Sequence, residues 1–197
     1  MEFYRPKWIH IKIFFELSTR KVEDENMKIH LFQQCLIDMF YPHVGMAGVE
    51  VLERLGCDLV VPKKQVCCGQ MFTNSGYYVV SMSGSCAFAI RDEYQHFLEG
   101  QPEWQQRAEK LSGKIYEFTE FITDVLGVED VGARFDETVT YHTSCHVTRL
   151  MGVKEPPFKH VRNEKDLKLI ELPRADRCCG FGGTFSVKNP EISEVMT

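Results

Sequence analysis

Apolar and polar positions along this chain alternate in a way that predicts strands and helices in turn. The apolar run Ile29–Phe32 has the length of a buried strand, and apolar residues recur at helical spacing through Met46–Leu55. Gly56 suits the end of that helix, and Cys57–Val61 then predicts a second strand. A strand, a helix and a strand in this order predict a parallel sheet with a right-handed crossover.

The same alternation continues to the end of the chain. Tyr77–Ser81, Thr138–His142 and Leu167–Leu172 have the composition of strands, whereas Ala87–Leu98 and Glu103–Leu126 have that of helices. Between the strands at Cys57–Val61 and Tyr77–Ser81 there is no helical segment of the kind that usually connects parallel neighbours. The predicted fold class is α/β with parallel sheets.

Composition excludes several classes of function. With 197 residues, of which 44% are hydrophobic, the chain can form one large domain or two small ones with real cores. The formal charge of -5 and the absence of a block of like charges predict no nucleic-acid partner. No run of 18 apolar residues occurs, so we expect no transmembrane segment and a cytoplasmic location.

The cysteines suggest metal binding rather than disulfides. Four of the eight stand in adjacent pairs, and neighbouring cysteines reach disulfide geometry only with strain. In a cytosolic protein, reduced thiols that bind metal are the better expectation. Cys57 lies within a predicted strand, away from the pairs, and we expect it in the core.

An internal repeat of cysteines is the most informative feature of the sequence. Cys35 follows a predicted strand and precedes Cys67-Cys68-Gly69 by 32 positions, and Cys145 likewise precedes Cys178-Cys179-Gly180 by 33. Each pair also follows a second predicted strand. Because loops after adjacent parallel strands meet at the carboxyl edge of a sheet, the thiols of each repeat are expected to converge there.

Convergent thiolates with adjacent cysteines suit an iron–sulfur cluster. Two neighbouring cysteines can reach different irons of one cluster, and Gly69 and Gly180 would let the backbone approach it closely. Cys86 is the natural fourth ligand of the first repeat, which then has the count for one [4Fe–4S] cluster. The predicted ligands are Cys35, Cys67, Cys68, Cys86, Cys145, Cys178 and Cys179. No independent catalytic set stands out, so the chemistry would depend on the cofactor.

Five blocks carry a resemblance to a known family. In order along the chain they are Cys35–Pro42, Cys67–Gln70, Ser83–Cys86, Tyr141–His146 and Cys178–Lys188. They resemble the lactate utilization protein A family of cysteine-rich CCG-domain proteins, which also include the cysteine-rich subunit of heterodisulfide reductase and the glycolate oxidase iron–sulfur subunit. The likeness covers residues 27–197. It implies an oxidoreductase subunit of a multi-protein system that converts L-lactate to pyruvate and passes electrons along partner iron–sulfur proteins.

The resemblance also defines the domains and two departures. It implies that residues 1–26 are an N-terminal extension with no assigned role. Residues 27–126 would form a first CCG-type repeat with a helical connection, and residues 127–197 a second repeat. The two repeats would be pseudo-repeated Rossmann-like halves. Relatives end each repeat in Cys-x-x-Cys, which here is Ser83-Gly84-Ser85-Cys86, one cysteine short. Relatives carry a helix between Gly76 and Tyr77, and continue past Thr197 to a last cysteine. The second half is therefore expected to be incomplete, and its three cysteines to form a partial or shared site.

Other interpretations stay open at this point. Zinc could replace the cluster, although short Cys-x-x-Cys knuckles are absent. The chain could be a non-catalytic zinc- or cluster-binding assembly module, or a heterodisulfide or thiol redox protein, which would need a lowered thiol pKa.

Several residues near the cysteines are expected to have structural roles. His142 and His146 are expected to be structural or solvent-facing, and Asp38 and Arg149 to be solvated or at helix starts. Gly182-Gly183-Thr184 lacks the spacing of a phosphate-binding loop and predicts a tight turn.

Overall fold

The computed structural model describes residues 27–33, 35–61 and 77–196, without the side chains of residues 35 and 36. The extension at 1–26 and the predicted ligands Cys67 and Cys68, with Gly69, lie outside the described residues.

Strands and helices alternate throughout the described part of the chain. The strands are β1 Lys28–Phe32, β2 Asp58–Val60, β3 Tyr78–Ser81, β4 Ile115–Glu117, β5 Thr138–Thr140 and β6 Lys168–Ile170. The α-helices are α1 Cys35–Phe40, α2 Pro42–Arg54, α3 Gly84–Phe88, α4 Tyr94–Phe97, α5 Pro102–Ser112, α6 Phe118–Glu120, α7 Glu155–Asn163, α8 Thr184–Lys188 and α9 Pro190–Met196. Three wider, π-helical segments are π1 Ala89–Glu93, π2 Phe121–Val125 and π3 Cys145–Leu150.

Two parallel sheets organise these elements. The larger has the strand order β2-β1-β3-β4, and the smaller pairs β5 with β6. All four described strand pairings are parallel, with His30 opposite Val60 and Val79, and Val139 opposite Leu169. The α/β class with parallel sheets is confirmed, as is the first strand–helix–strand unit.

The larger sheet has a cluster of buried apolar side chains on each face, since side chains alternate between the two faces along a strand. Ile29 and Leu31 of β1 pack on one face with Leu52 of α2 and with Phe121 and Ile122 of π2. On the other face lies a second cluster of apolar side chains, made of Phe32, Val79, Ile90, Leu111 and Ile115. The first half thus has a sandwich of helix, sheet and helix.

The second half has less buried apolar surface. Strands β5 and β6 carry no buried residue, and their middle residues are only partly covered. Helix α7 connects this half to the first, since Thr123 Oγ1 of π2 lies 3.1 Å from His160 Nε2. Within the second half, Asn163 Nδ2 of α7 donates to the Glu129 carbonyl at 3.0 Å.

One element differs from the sequence-based prediction. A single helical stretch over Glu103–Leu126 is wrong, because α5 ends at Ser112 and Ile115–Glu117 forms β4 beside β3. The backbone turns at Gly113 and Lys114, where the Lys114 N–H bonds the Leu111 carbonyl at 2.9 Å. Strand β1 also lies between β2 and β3, so these two strands are not neighbours in the sheet.

Candidate functional site at the carboxyl ends of the strands

The described cysteines of the repeats lie just past strand ends. Cys35 is the first residue of α1 after β1, Cys86 lies in α3 after β3, and Cys145 is the first residue of π3 after β5. Parallel strands bring such positions to one edge of a sheet. The sequence-based placement of these three residues is therefore reproduced at the level of the backbone.

Cys86 is held by a turn and by apolar packing. Ser81 Oγ donates to the Ser83 carbonyl at 2.9 Å and lies 3.3 Å from the Ser83 N–H, which fixes the exit from β3. The Cys86 side chain is partly buried against the apolar cluster that contains Phe32 and Ile90. This cysteine is rigidly placed, but its surroundings on that side are apolar.

The second repeat brings its cysteines together. The thiols of Cys178 and Cys179 both lie close enough to that of Cys145 to raise its pKa. Cys178 is partly exposed and Cys179 exposed, so this group of thiols opens to solvent. None of the five cysteines whose side chains the structure describes forms a disulfide.

Three side chains that flank Cys145 donate hydrogen bonds to three consecutive backbone carbonyls immediately before the Cys178-Cys179 pair. The bonds run from Thr143 Oγ1 to Ala175 O at 2.8 Å, from Arg149 to Asp176 O, and from His142 Nε2 to Arg177 O at 2.8 Å. We call this set the carbonyl clasp. It fixes the cysteine pair relative to Cys145 through bonds that use no sheet pairing.

The loop that carries the pair is tightly turned on both sides. Before the pair, the Ala175 N–H bonds the Leu172 carbonyl at 3.1 Å, with Pro173 at the corner and Arg174 at a φ of 60°. After it, Gly180 has a φ of 72° and Gly182 one of 49°, in the left-handed region that favours glycine. The prediction of a tight turn at Gly182 is confirmed, and α8 begins directly after it.

The charges of the grouped thiols interact. Burial raises the pKa of the Cys145 thiol, and Cys178 and Cys179 raise it further, whereas the Arg149 guanidinium lowers it. A raised pKa disfavours the thiolate that nucleophilic or redox cysteines require. A bound cation would relieve the repulsion between neighbouring thiolates.

The helices that carry Cys86 and Cys145 pack on each other. A Cβ atom on Gly84 would lie 1.9 Å from Val147 Cγ2, so α3 and π3 meet where only a glycine fits. Nearby, the rings of Phe88 and His146 have centroids 5.5 Å apart. The cysteine-bearing segments of the two halves therefore share an interface, in which His146 has a packing role.

The donors grouped here are thiols, the ligands that both zinc and iron–sulfur clusters take. Within the described residues, no group of three or more His, Cys, Asp and Glu side chains has the arrangement that holds a metal ion. A zinc ion needs all its thiolates within about 2.3 Å of one point, whereas a cluster places each thiolate on a different iron.

The structure also fixes residues outside the thiol group. Cys57 is buried in the first-half core, as predicted, and burial raises its pKa to about 11. Asp38 accepts a hydrogen bond from Gln33 Nε2 at 3.3 Å and is exposed. Arg149 is 52% exposed, as expected, and it also bonds the loop before the cysteine pair.

Sequence reasoning did not single out Thr143, Asp176 or Arg177. The clasp depends on backbone carbonyls, which carry no residue-type signal. The sequence feature that pointed towards the clasp was Arg149, four positions after Cys145, since that spacing places both residues on one face of a helix.

The fold and the grouped thiols define a cysteine-rich α/β protein. In agreement with this, the sequence model of the CCG family, described as a cysteine-rich domain, matches residues 29–86 and 139–197. Similar proteins are named Lactate utilization protein A: one from Geobacillus sp. (strain WCH70) is 52% identical, and one from Bacillus subtilis (strain 168) is 50% identical. Each alignment covers 86% of this chain and 79% of the relative. The chain belongs to the lactate utilization protein A family of CCG cysteine-rich proteins.

None of the helices in the described part of the chain has both the length and the apolar character needed to cross a bilayer.

Proposed function

We propose that this chain is an iron–sulfur electron-transfer subunit of a system that oxidises L-lactate to pyruvate. The proximity of the Cys178 and Cys179 thiols to that of Cys145 carries the proposal. The names of the relatives supply the link to lactate. The partners would be other subunits of a lactate-oxidising complex, themselves iron–sulfur proteins, and the location would be the cytoplasm, where thiols stay reduced.

The proposed ligands form one set in each of two halves, at residues 27–126 and 127–197. The first set is Cys35, Cys67, Cys68 and Cys86, and the second is Cys145, Cys178 and Cys179. The first has the count for one [4Fe–4S] cluster, and the second would be a partial or shared site. Gly69 and Gly180 would let the backbone approach the cluster, and Gly180 has the positive φ that such a turn uses.

A bound cluster would supply reversible one-electron transfer, and the residues of the chain would hold it and control its surroundings. The thiolates bind iron, and the carbonyl clasp keeps the pair of cysteines in place. Because Cys179 is exposed, the second set lies near the surface, where a redox partner could approach. No catalytic side chain is assigned to this chain.

The zinc alternative is less well supported, because the sequence contains none of the short Cys-x-x-Cys knuckles that are common in structural zinc sites. Thiol–disulfide chemistry is also less well supported, because the pKa of Cys145 is raised rather than lowered.

Anaerobic purification followed by iron and acid-labile sulfide assays tests the cofactor. We expect both in the purified protein, with visible absorption that dithionite bleaches and an EPR signal from the reduced form. Stoichiometric zinc without sulfide would overturn the cluster. An intact cluster that dithionite cannot reduce would overturn electron transfer and favour the assembly module.

Growth on L-lactate tests the pathway. A strain that lacks the gene should grow normally on glucose but poorly on L-lactate, and the wild-type gene should restore growth. Normal growth of the deletion strain on L-lactate would contradict the assignment to lactate oxidation.

A further inference from the structure

We infer that Arg149 is a positioning residue, which together with His142 and Thr143 fixes the Cys178-Cys179 pair against Cys145. The inference deepens the proposed function and rests on it for its biological meaning. The inference predicts how close the cysteine thiols lie to one another, which can be measured separately from the iron and sulfide content.

The cysteine pair needs such a restraint because no strand holds it. Strand β6 ends at Ile170, and seven residues separate it from Cys178. Within that loop, two backbone bonds form local turns, from Ala175 to Leu172 and from Arg177 to Arg174. One further backbone bond, from the Thr143 N–H to Ala175 O, links the loop to the segment before π3.

The carbonyl clasp supplies the missing restraint. Three consecutive carbonyls, of residues 175, 176 and 177, each accept from a side chain next to Cys145, and the Thr143 N–H adds a fourth bond to Ala175 O at 3.1 Å. A displacement of the loop away from π3 would leave the donors of the clasp without their partners. The clasp therefore holds the two cysteine-bearing segments next to each other.

Arg149 differs from the other two donors in its position. His142 and Thr143 precede Cys145, whereas Arg149 reaches back from the far end of π3. It is thus the clasp residue that connects the helix itself to the loop. Its guanidinium bonds the Asp176 carbonyl and lies 3.9 Å from the Asp176 carboxylate.

The ion pair alone would not position the loop, since exposed pairs contribute little. Arg162 and Glu155 provide a matched control in the same half. Their closest N–O distance is 3.8 Å with side chains 60% and 69% exposed, against 3.9 Å with 52% and 81% for Arg149 and Asp176. Arg149 bonds a backbone carbonyl of the loop, whereas the Arg162 guanidinium lies 5.2 Å from the centroid of the Phe158 ring on its own helix.

The test measures how often the Cys145 and Cys178 thiols meet in the reduced full-length chain. Dibromobimane alkylates two nearby thiols, each displacing one bromide, and peptide mass spectrometry then quantifies the Cys145–Cys178 cross-link. Since a hydrogen bond from a charged donor is stronger than a neutral one, Arg149→Ala should slow this cross-link on the order of tenfold. Arg149→Lys should lie in between, because it keeps the charge but loses the fork of donors. Arg162→Ala should cross-link at the wild-type rate.

A wild-type cross-linking rate in Arg149→Ala with an intact circular dichroism spectrum would overturn the inference. If Arg149→Ala fails to fold, Thr143→Val decides, because it removes one hydroxyl bond of the clasp and leaves the backbone N–H bond. Slower cross-linking in Thr143→Val supports the clasp, and an unchanged rate overturns it.

Iron and sulfide assays on the same variants separate this inference from the proposed function. If wild type takes up neither iron nor sulfide but Arg149→Ala still cross-links slowly, the proposed cluster is refuted and the positioning role of Arg149 is supported. If wild type holds a cluster but both proteins cross-link at the same rate, the positioning role is refuted and the proposed cluster is supported.

Discussion

The two halves of this protein are stabilised in different ways. The first half surrounds a four-stranded sheet with apolar side chains on both faces, and its strands β1, β3 and β4 are largely buried. The second half has two short strands without a buried residue, and hydrogen bonds to backbone carbonyls hold its cysteine loop. Packing thus determines the scaffold of the first half, whereas directional bonds determine the site of the second.

The largest loss of stability is expected when a large side chain is removed from the core of the first half. Phe121 is fully buried and contacts the rings of Tyr78 and Tyr116, so Phe121→Ala should lower the free energy of unfolding by about 3–5 kcal/mol. Val187 in the second half is 81% exposed, and Val187→Ala should change the free energy of unfolding by less than about 0.5 kcal/mol. Urea denaturation measures the free energy of unfolding of both variants. Equal losses would contradict the view that packing stabilises mainly the first half.

The interface between the halves gives the next largest effect. Gly84→Ala places a Cβ atom 1.9 Å from Val147 Cγ2, and such overpacking should cost about 1–3 kcal/mol of unfolding free energy. Adding Val147→Ala provides room, so the double variant should be more stable than the sum of the two single changes predicts. Strict additivity in urea denaturation would show that α3 and π3 do not pack as described.

Alkaline pH should destabilise the core of the first half. Burial raises the pKa of Cys57 from 9.0 to about 11, so the folded state keeps its proton in a range where the unfolded chain loses it. The contribution is fully present below pH 9.0 and is lost as the pH rises towards about 11. Wild type should therefore lose more stability than Cys57→Ala between these values, and parallel pH profiles would contradict this.

The smallest of these effects on stability is expected at acid pH, at the contact between His160 in the second half and Thr123 in the first. Burial lowers the pKa of His160 from 6.5, although nearby Glu129 and Asp130 oppose the shift. The unfolded chain therefore takes up the proton first, and stability is lost as the pH falls below 6.5, by at most about 1.4 kcal/mol per pH unit. His160→Gln should remove this part of the slope, and an unchanged slope in the variant would argue against it.

The sequence predicted the elements whose signal is local. The apolar runs of β1 and β3 and the helix before Gly56 appear close to their predicted positions, because burial imposes a pattern on neighbouring residues. Strand β4 was missed, since Ile115–Glu117 is short and its strand character comes from pairing with β3, far away in sequence.

The site was predictable in its residue types but not in its geometry. The spacing of Cys145 and Cys178 suggested that they meet, and their thiols lie close enough to interact. The role of Arg149 could not be predicted, because its partner is a backbone carbonyl 27 positions along the chain. Any residue type at position 176 would offer the same carbonyl.

The central claim is that the thiols of the second half bind iron, and iron content in matched cysteine variants tests it most directly. Wild type, Cys178→Ser and Cys57→Ala are purified anaerobically, and iron and sulfide are measured per chain. We expect Cys178→Ser to hold clearly less of both than wild type, while Cys57→Ala, which alters only a core thiol, matches wild type. Wild-type iron and sulfide in Cys178→Ser would contradict the account.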